Sequence, residues 1–252
     1  MKPITLRIFF PYFGAKYMKA LHYPAPCHDT IIEPFAGGAG YSLRYPDRRV
    51  ILFDKDPKIC GVWHYLIHVS SNEIMRLPLM LPGESVNDLM VPQEAKWLIG
   101  FWINPGSARP KVTMGGRRSN RAFGTWGEGP RQRLAEQVVA LRHWQIFERD
   151  YSEVPNLKAT WFIDPPYQCQ GKQYANRISS YQDLADWSRQ RLGKVMVCES
   201  KGANWMDFAD LTNNVGATHR KTTEVLWTND RRGDAALCQT PRVWGSQWEA
   251  RA

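Results

Sequence analysis

Six consecutive residues, Phe162-Ile163-Asp164-Pro165-Pro166-Tyr167, carry the sharpest chemical pattern in this chain of 252 residues. An apolar run of strand length ends on a carboxylate. Two prolines then stop any continuing ladder, because they have no N–H to donate. Each proline also keeps the residue before it out of the helical region, so the turn is rigid and extended. Such a turn can aim an acid, a backbone carbonyl and an aromatic ring into one space. That set suits a planar amine attached to a ring. Its nitrogen lone pair is delocalised into the ring, so it is a poor nucleophile until acceptors polarise it. Asp164 and the Pro165 carbonyl can each take one amino N–H, and Tyr167 can stack on the ring. Asp-Pro by itself is an ordinary strand-to-loop turn with a solvated acid; the longer string after an apolar strand is far more specific.

Two further patterns lie upstream. Glu33-Pro34-Phe35-Ala36-Gly37-Gly38-Ala39-Gly40 is a glycine-rich turn, of the kind that lets backbone approach a ligand closely. Asp54 closes the run Arg49-Val50-Ile51-Leu52-Phe53. In nucleoside-binding α/β folds an acid at the end of the second strand accepts bonds from ribose hydroxyls. Asp56, followed by Pro57, suits a helix cap, although the roles of Asp54 and Asp56 can be exchanged on sequence alone.

The elements that must position these residues are legible from periodicity. Thr30–Glu33 reads as a strand, Tyr41–Arg44 as the opening of a helix, and Arg49–Phe53 as a second strand. A helix carrying Ile59, Val62, Trp63, Leu66 and Ile67 at helical spacing follows. This βαβα series predicts a parallel sheet. Residues 71–140 change character, with five prolines between Pro78 and Pro110 and a short helix over Gln93–Ile103. Arg131 to Trp144 returns to helical spacing. Strands are expected at Gln145–Glu148, Thr160–Ile163, Lys194–Cys198 and Glu224–Trp227, with a helix over Asp183–Leu192.

Composition bounds the partners. At 43% apolar the chain has enough material for a core, so a disordered or collagen-like chain is excluded. Its formal charge of +9 favours nucleic acid or another anionic partner. Much of that excess falls between residues 109 and 133, where Arg109, Lys111, Arg117, Arg118, Arg121, Arg131 and Arg133 face a single acid, Glu128. Glycines, Phe123 and Trp126 are interleaved there, a composition suited to phosphate and base contact. No apolar run reaches membrane-span length, and the first residues lack the layout of a secretory signal. The five cysteines are widely spaced with no Cys-x-x-Cys, which supports neither a disulfide framework nor a zinc knuckle and suits a reducing cytoplasm. His64 and His68 stand four apart, but no third metal ligand is near, so no metal is expected.

Taken in order, the glycine turn, Asp54 and the Asp164–Tyr167 string resemble the D12 class of N6-adenine-specific DNA methyltransferases. The family's N-terminal signature is also present as Pro11-Tyr12-Phe13-Gly14-Ala15-Lys16, departing at Ala15, where a second glycine is usual. Glu224-Val225-Leu226-Trp227-Thr228-Asn229 looks like the family's last strand. The resemblance implies a Rossmann-like, S-adenosylmethionine-binding methyltransferase domain over 1–70 and 141–252, with a target-recognition insert at 71–140. It implies cofactor contacts from Tyr12, Lys16, Phe35, Gly37, Asp54, Asp150 and Asp164. It further implies catalysis by Asp164, Pro165, Pro166 and Tyr167 on a flipped-out adenine. Double-stranded DNA would be held by Arg109, Lys111, Arg117, Arg118, Arg121 and Trp126. A monomer in the cytoplasm of a bacterial or phage-infected cell, with restriction–modification as one setting, fits such an enzyme. An RNA adenine methyltransferase and a catalytically silent nucleic-acid binder stay open as alternatives.

Overall fold

The computed structural model describes residues 6–103, 105–115, 125–169, 174, 176–215 and 221–230. Seven strands form one sheet: β1 (Thr30–Glu33), β2 (Arg49–Asp54), β3 (Gln145–Glu148), β4 (Ala159–Ile163), β5 (Gly193–Ser200), β6 (Ala209–Val215) and β7 (Lys221–Thr228). Their spatial order is β3-β2-β1-β4-β5-β7-β6. The first five run parallel, whereas β7 runs antiparallel to both β5 and β6. The protein is therefore a mixed α/β fold with a mostly parallel sheet, compatible with a Rossmann-like architecture.

Alternation along the strands divides the core in two. Ile31, Val50, Leu52, Phe162, Met196 and Cys198 belong to one cluster. Their neighbours Ile32, Ile51, Phe53, Trp161, Ile163, Val195 and Val197 belong to the other. Strands apolar on both faces are what a parallel sheet covered on both sides requires. The first face is covered by α1 (Pro57–His68), α2 (Ser71–Arg76), α3 (Gln93–Trp102) and α4 (Glu128–Gln137), and the second by α5 (Tyr181–Arg189) with Trp205 and Met206. The buried residues of α2, α3 and α4, all from the stretch 71–140, sit in the same cluster as the first sheet face.

Local chemistry explains the element ends that matter for the site. Asp56 caps α1 by accepting from the Lys58 N–H at 2.9 Å, and Pro57 takes the first helical position. That settles the exchange between the two acids: Asp56 is the cap, and Asp54 is left at the end of β2. The helix expected after the glycine turn is only a 3₁₀ turn, Ser42–Arg44. Tyr45 precedes Pro46, which disfavours the helical region at Tyr45 and leaves too few residues for more. Ser70 and Glu73 form a reciprocal capping box that starts α2. Among the described residues no helix is long and apolar enough to cross a membrane.

Candidate active site

Three neighbouring parallel strands end on acids: Glu33 on β1, Asp54 on β2, and Asp164 just past β4. The chain passes from β1 through β2 to β3 on one side and returns to β4 on the other, so the sheet order reverses between β1 and β4. Ligands of open α/β sheets bind outside the carboxyl ends of the strands at that reversal. A cavity of about 400 Å³ lies there. Its wall includes Tyr12, Lys16, Phe35, Gly37, Asp54, Asp150 and Asp164, so all seven residues expected at a cofactor face one space.

The glycine turn is shaped by its neighbours. Gly37 has φ of 43°, and a Cβ there would lie 2.9 Å from the Tyr12 ring. A Cβ on Gly40 would meet the Tyr17 backbone nitrogen at 2.5 Å. These glycines let the segment Tyr12–Tyr17 lie directly on the turn. Trp63 donates from its indole to the Gly37 carbonyl at 2.8 Å and fixes the turn from beneath. Tyr12 is held in turn by pairing with Ser107, whose carbonyl accepts the Phe13 N–H at 3.1 Å.

Asp54 accepts the Gly37 N–H at 3.0 Å through one oxygen and the Asp56 N–H at 2.9 Å through the other. Burial lifts its carboxyl to about 6, against the pull of these two bonds. A carboxylate can accept up to four such bonds, and Asp54 lines the cavity. Asp150 caps a 3₁₀ turn at Tyr151–Glu153 and accepts from Ser152 and Lys55. Burial opposes its ionisation, but those bonds hold it below the usual carboxylate range. The Phe35 ring packs on Tyr151 with centroids 5.4 Å apart.

The Asp164 loop is engaged by a lysine. Lys16 is 6% exposed. Its ammonium lies 2.7 and 2.8 Å from the two Asp164 oxygens and donates to the Gly14 carbonyl at 3.0 Å. It also sits 4.6 Å from the centroid of the Tyr167 ring. Burial works against the charge on Lys16, yet Asp164 and Glu224 outweigh it and raise the ammonium above its ordinary range. Burial likewise raises Asp164, with Lys16 pulling it back. Pro166 lines the cavity, Pro165 is buried, and Tyr167 stands behind Lys16 with its hydroxyl donated to Glu224 at 2.6 Å.

Three buried carboxylates join the site without having been expected from the sequence. Glu33 lines the cavity and accepts the Ser42 N–H at 2.8 Å; burial pushes it up to about 8. A signal for it exists, because it ends β1 as Asp54 ends β2. Glu199 takes the Gln168 N–H at 3.0 Å and the Trp205 indole at 3.2 Å, which ties down the far side of the Asp164 loop. Glu224 gathers donors from distant parts of the chain and has no local signature. Asp164, Cys198 and Glu224 come close enough to invite a metal, but the Lys16 and Lys19 ammoniums already balance the two carboxylates of that cluster.

The basic window divides. Arg109 and Lys111 are exposed, next to the Ser107 segment that pairs with Tyr12. Arg117, Arg118 and Arg121 lie outside the described residues. Arg131 donates to the Leu77 carbonyl at 2.9 Å, and Arg133 lies over the Trp102 ring, so both serve packing. The assignment of Trp126 to a nucleic-acid surface is corrected: its ring is 3% exposed and its indole donates to the Pro78 carbonyl at 2.8 Å. An aromatic between glycines in a basic stretch looks like a stacking platform, but here the apolar ring fills the core beside α2.

No family model and no curated protein matches this chain. Among solved structures it is similar to a conserved hypothetical protein from Streptococcus pyogenes, at 9% identity and a TM-score of 0.36, covering 85% of this chain and 92% of that one. A likeness at that level carries nothing about function.

Proposed function

We propose that the chain is an S-adenosylmethionine-dependent DNA methyltransferase acting on the N6 amino group of adenine. One observation carries this reading: the glycine turn, Asp54 and Asp164, far apart in sequence, line a single cavity at the switch point of the sheet. Its volume falls in the usual range for ligand sites. The half-buried Asp54 carboxylate at the cavity wall fits a ribose diol, and the aromatic and backbone surface of Tyr12, Phe35 and the Gly37 turn fits the rest of a nucleoside-based cofactor. When bound, S-adenosylmethionine supplies a methyl group on a cationic sulfur, already an activated leaving group.

The protein's own share is positioning and polarisation. Asp164 accepts an amino N–H of the target and builds electron density on its nitrogen. Pro165 and Pro166 keep that carboxylate from turning away. A base inside a duplex cannot reach the ends of the strands, so the target leaves the stack. Arg109 and Lys111 contribute to the surface that holds the phosphates.

The experiment is incubation with isotopically labelled S-adenosylmethionine and either long duplex DNA or RNA, followed by mapping of modified adenines. N6-methyladenine in DNA at a repeated sequence supports the reading. Label confined to RNA favours the RNA enzyme, and cofactor binding without transfer favours a silent binder.

A further inference from the structure

We propose that Glu224 is a positioning residue that sets both halves of the adenine pocket, holding Tyr167 by its hydroxyl and standing as the second anion to which the Lys16 ammonium shifts when it releases Asp164. The inference rests on the methyltransferase reading and gives a role to Glu224, which the sequence placed only at the start of a strand.

Glu224 lies on β7, opposite Ser200 of β5, and is 2% exposed. One of its oxygens accepts both the Tyr23 and Tyr167 hydroxyls at 2.6 Å. The same oxygen is 3.8 Å from the Lys16 ammonium. Its other oxygen pairs with Lys19. A buried charge is tolerated only with partners of this kind, and every one of these partners belongs to the two segments that flank Asp164.

The arrangement has a consequence for substrate entry. Lys16 occupies the Asp164 oxygens and one face of the Tyr167 ring. Those are the groups that an incoming adenine needs. The ammonium must give them up, and Glu224 is the nearby anion that can take its charge. Neutralising Glu224 would leave Lys16 with Asp164 as its single strong partner. The Glu224 charge also raises the Asp164 carboxyl, against the opposing pull of Lys16 and beyond the larger effect of burial.

The test uses Glu224→Gln, which keeps size and an acceptor oxygen but removes the charge, with Glu224→Asp as the conservative variant. Two readouts are taken. The first is steady-state methyl transfer to long duplex DNA across pH. Glu224→Gln is expected to lose at least tenfold in kcat with S-adenosylmethionine affinity within threefold. The acid limb of its pH profile should move to lower pH, because Asp164 loses a repelling neighbour. Glu224→Asp should recover part of kcat and keep the wild-type limb. The second is hydrogen exchange of the peptide spanning residues 164–169. It should speed up in Glu224→Gln, while exchange in α1 stays unchanged. An unshifted acid limb, or unchanged exchange in that peptide, overturns the inference. A wild-type protein that transfers no methyl group overturns the methyltransferase reading instead, and the exchange result alone then decides the role of Glu224.

Discussion

Single carboxylates govern this site, and each has a separable job. Asp54 touches only the cofactor side of the cavity in the proposed reading. Asp54→Ala should therefore weaken S-adenosylmethionine binding by about 1.5–3 kcal/mol, roughly 10- to 150-fold, with duplex affinity unchanged; calorimetry on both ligands checks this. Glu33 gives a pH signature of the fold itself. Burial raises its carboxyl from the ordinary 4.5 to about 8. Between those values the folded state holds a proton that the unfolded state has released, so stability falls as pH rises through that window and is flat above it. In Glu33→Gln the amide oxygen can still accept the Ser42 N–H. The variant should lose that slope and gain on the wild type as pH rises from about 4.5 to 8, as thermal melts at several pH values would record. A wild-type slope retained in Glu33→Gln contradicts the assignment. Asp164 and the pair Asp54 and Asp56 are legible in the sequence because their signals are local, an acid closing an apolar run or preceding a proline, although only the structure divides the two roles of the pair. Glu199 and Glu224 are not. A buried acid is recognised by donors that the fold brings to it, and Lys19 and Tyr23 on one segment and Tyr167 on another are all far from Glu224 in sequence.

At the scale of elements, the glycine turn and the Tyr12–Lys16 segment act as one unit. Glycines after a first strand suggest a ligand cradle, but Gly40 is required first by the protein's own backbone. Its hypothetical Cβ meets Tyr17 and Lys16 main-chain atoms within 3 Å, which cannot move as a flexible side chain would. Gly40→Ala should cost about 1–3 kcal/mol of stability and weaken cofactor binding through displacement of Lys16. Denaturant unfolding with parallel calorimetry checks both effects, and wild-type stability would mean that the two segments are not coupled. Strand positions and the start of α1 follow from apolar runs and one cap. The helix after the turn does not form because Pro46 truncates it, a limit present in the sequence but overshadowed by the βαβ pattern. The short α2 has a readable capping box, Ser70 to Glu73. The edge strand β6 carries no apolar alternation strong enough to announce it.

For the molecule as a whole, the described cations of the basic window divide between packing, at Arg131 and Arg133, and exposure, at Arg109 and Lys111. The exposed Arg109 and Lys111 follow the segment paired with Tyr12, so a polyanion bound there would lie close to the cavity rim. Arg109→Gln with Lys111→Gln should weaken binding to all duplexes alike, and the slope of log affinity against log salt should fall by about 0.9 for each phosphate that is no longer neutralised. Cofactor affinity should not change. An unaltered slope would move the DNA surface elsewhere. Trp126 shows why composition misleads here: interleaved aromatics mark either a stacking surface or a core, and burial alone separates the two. The central claim is that the cavity at the strand ends polarises an adenine amine through Asp164. Its most direct test is single-turnover methyl transfer from S-adenosylmethionine to long duplex DNA by the wild-type protein and by Asp164→Ala. The expected result is N6-methyladenine from the wild type and a rate lower by about 10²–10³ in the variant, the loss associated with one preorganised hydrogen-bond partner, while cofactor remains bound. Equal rates in the two proteins would contradict the account.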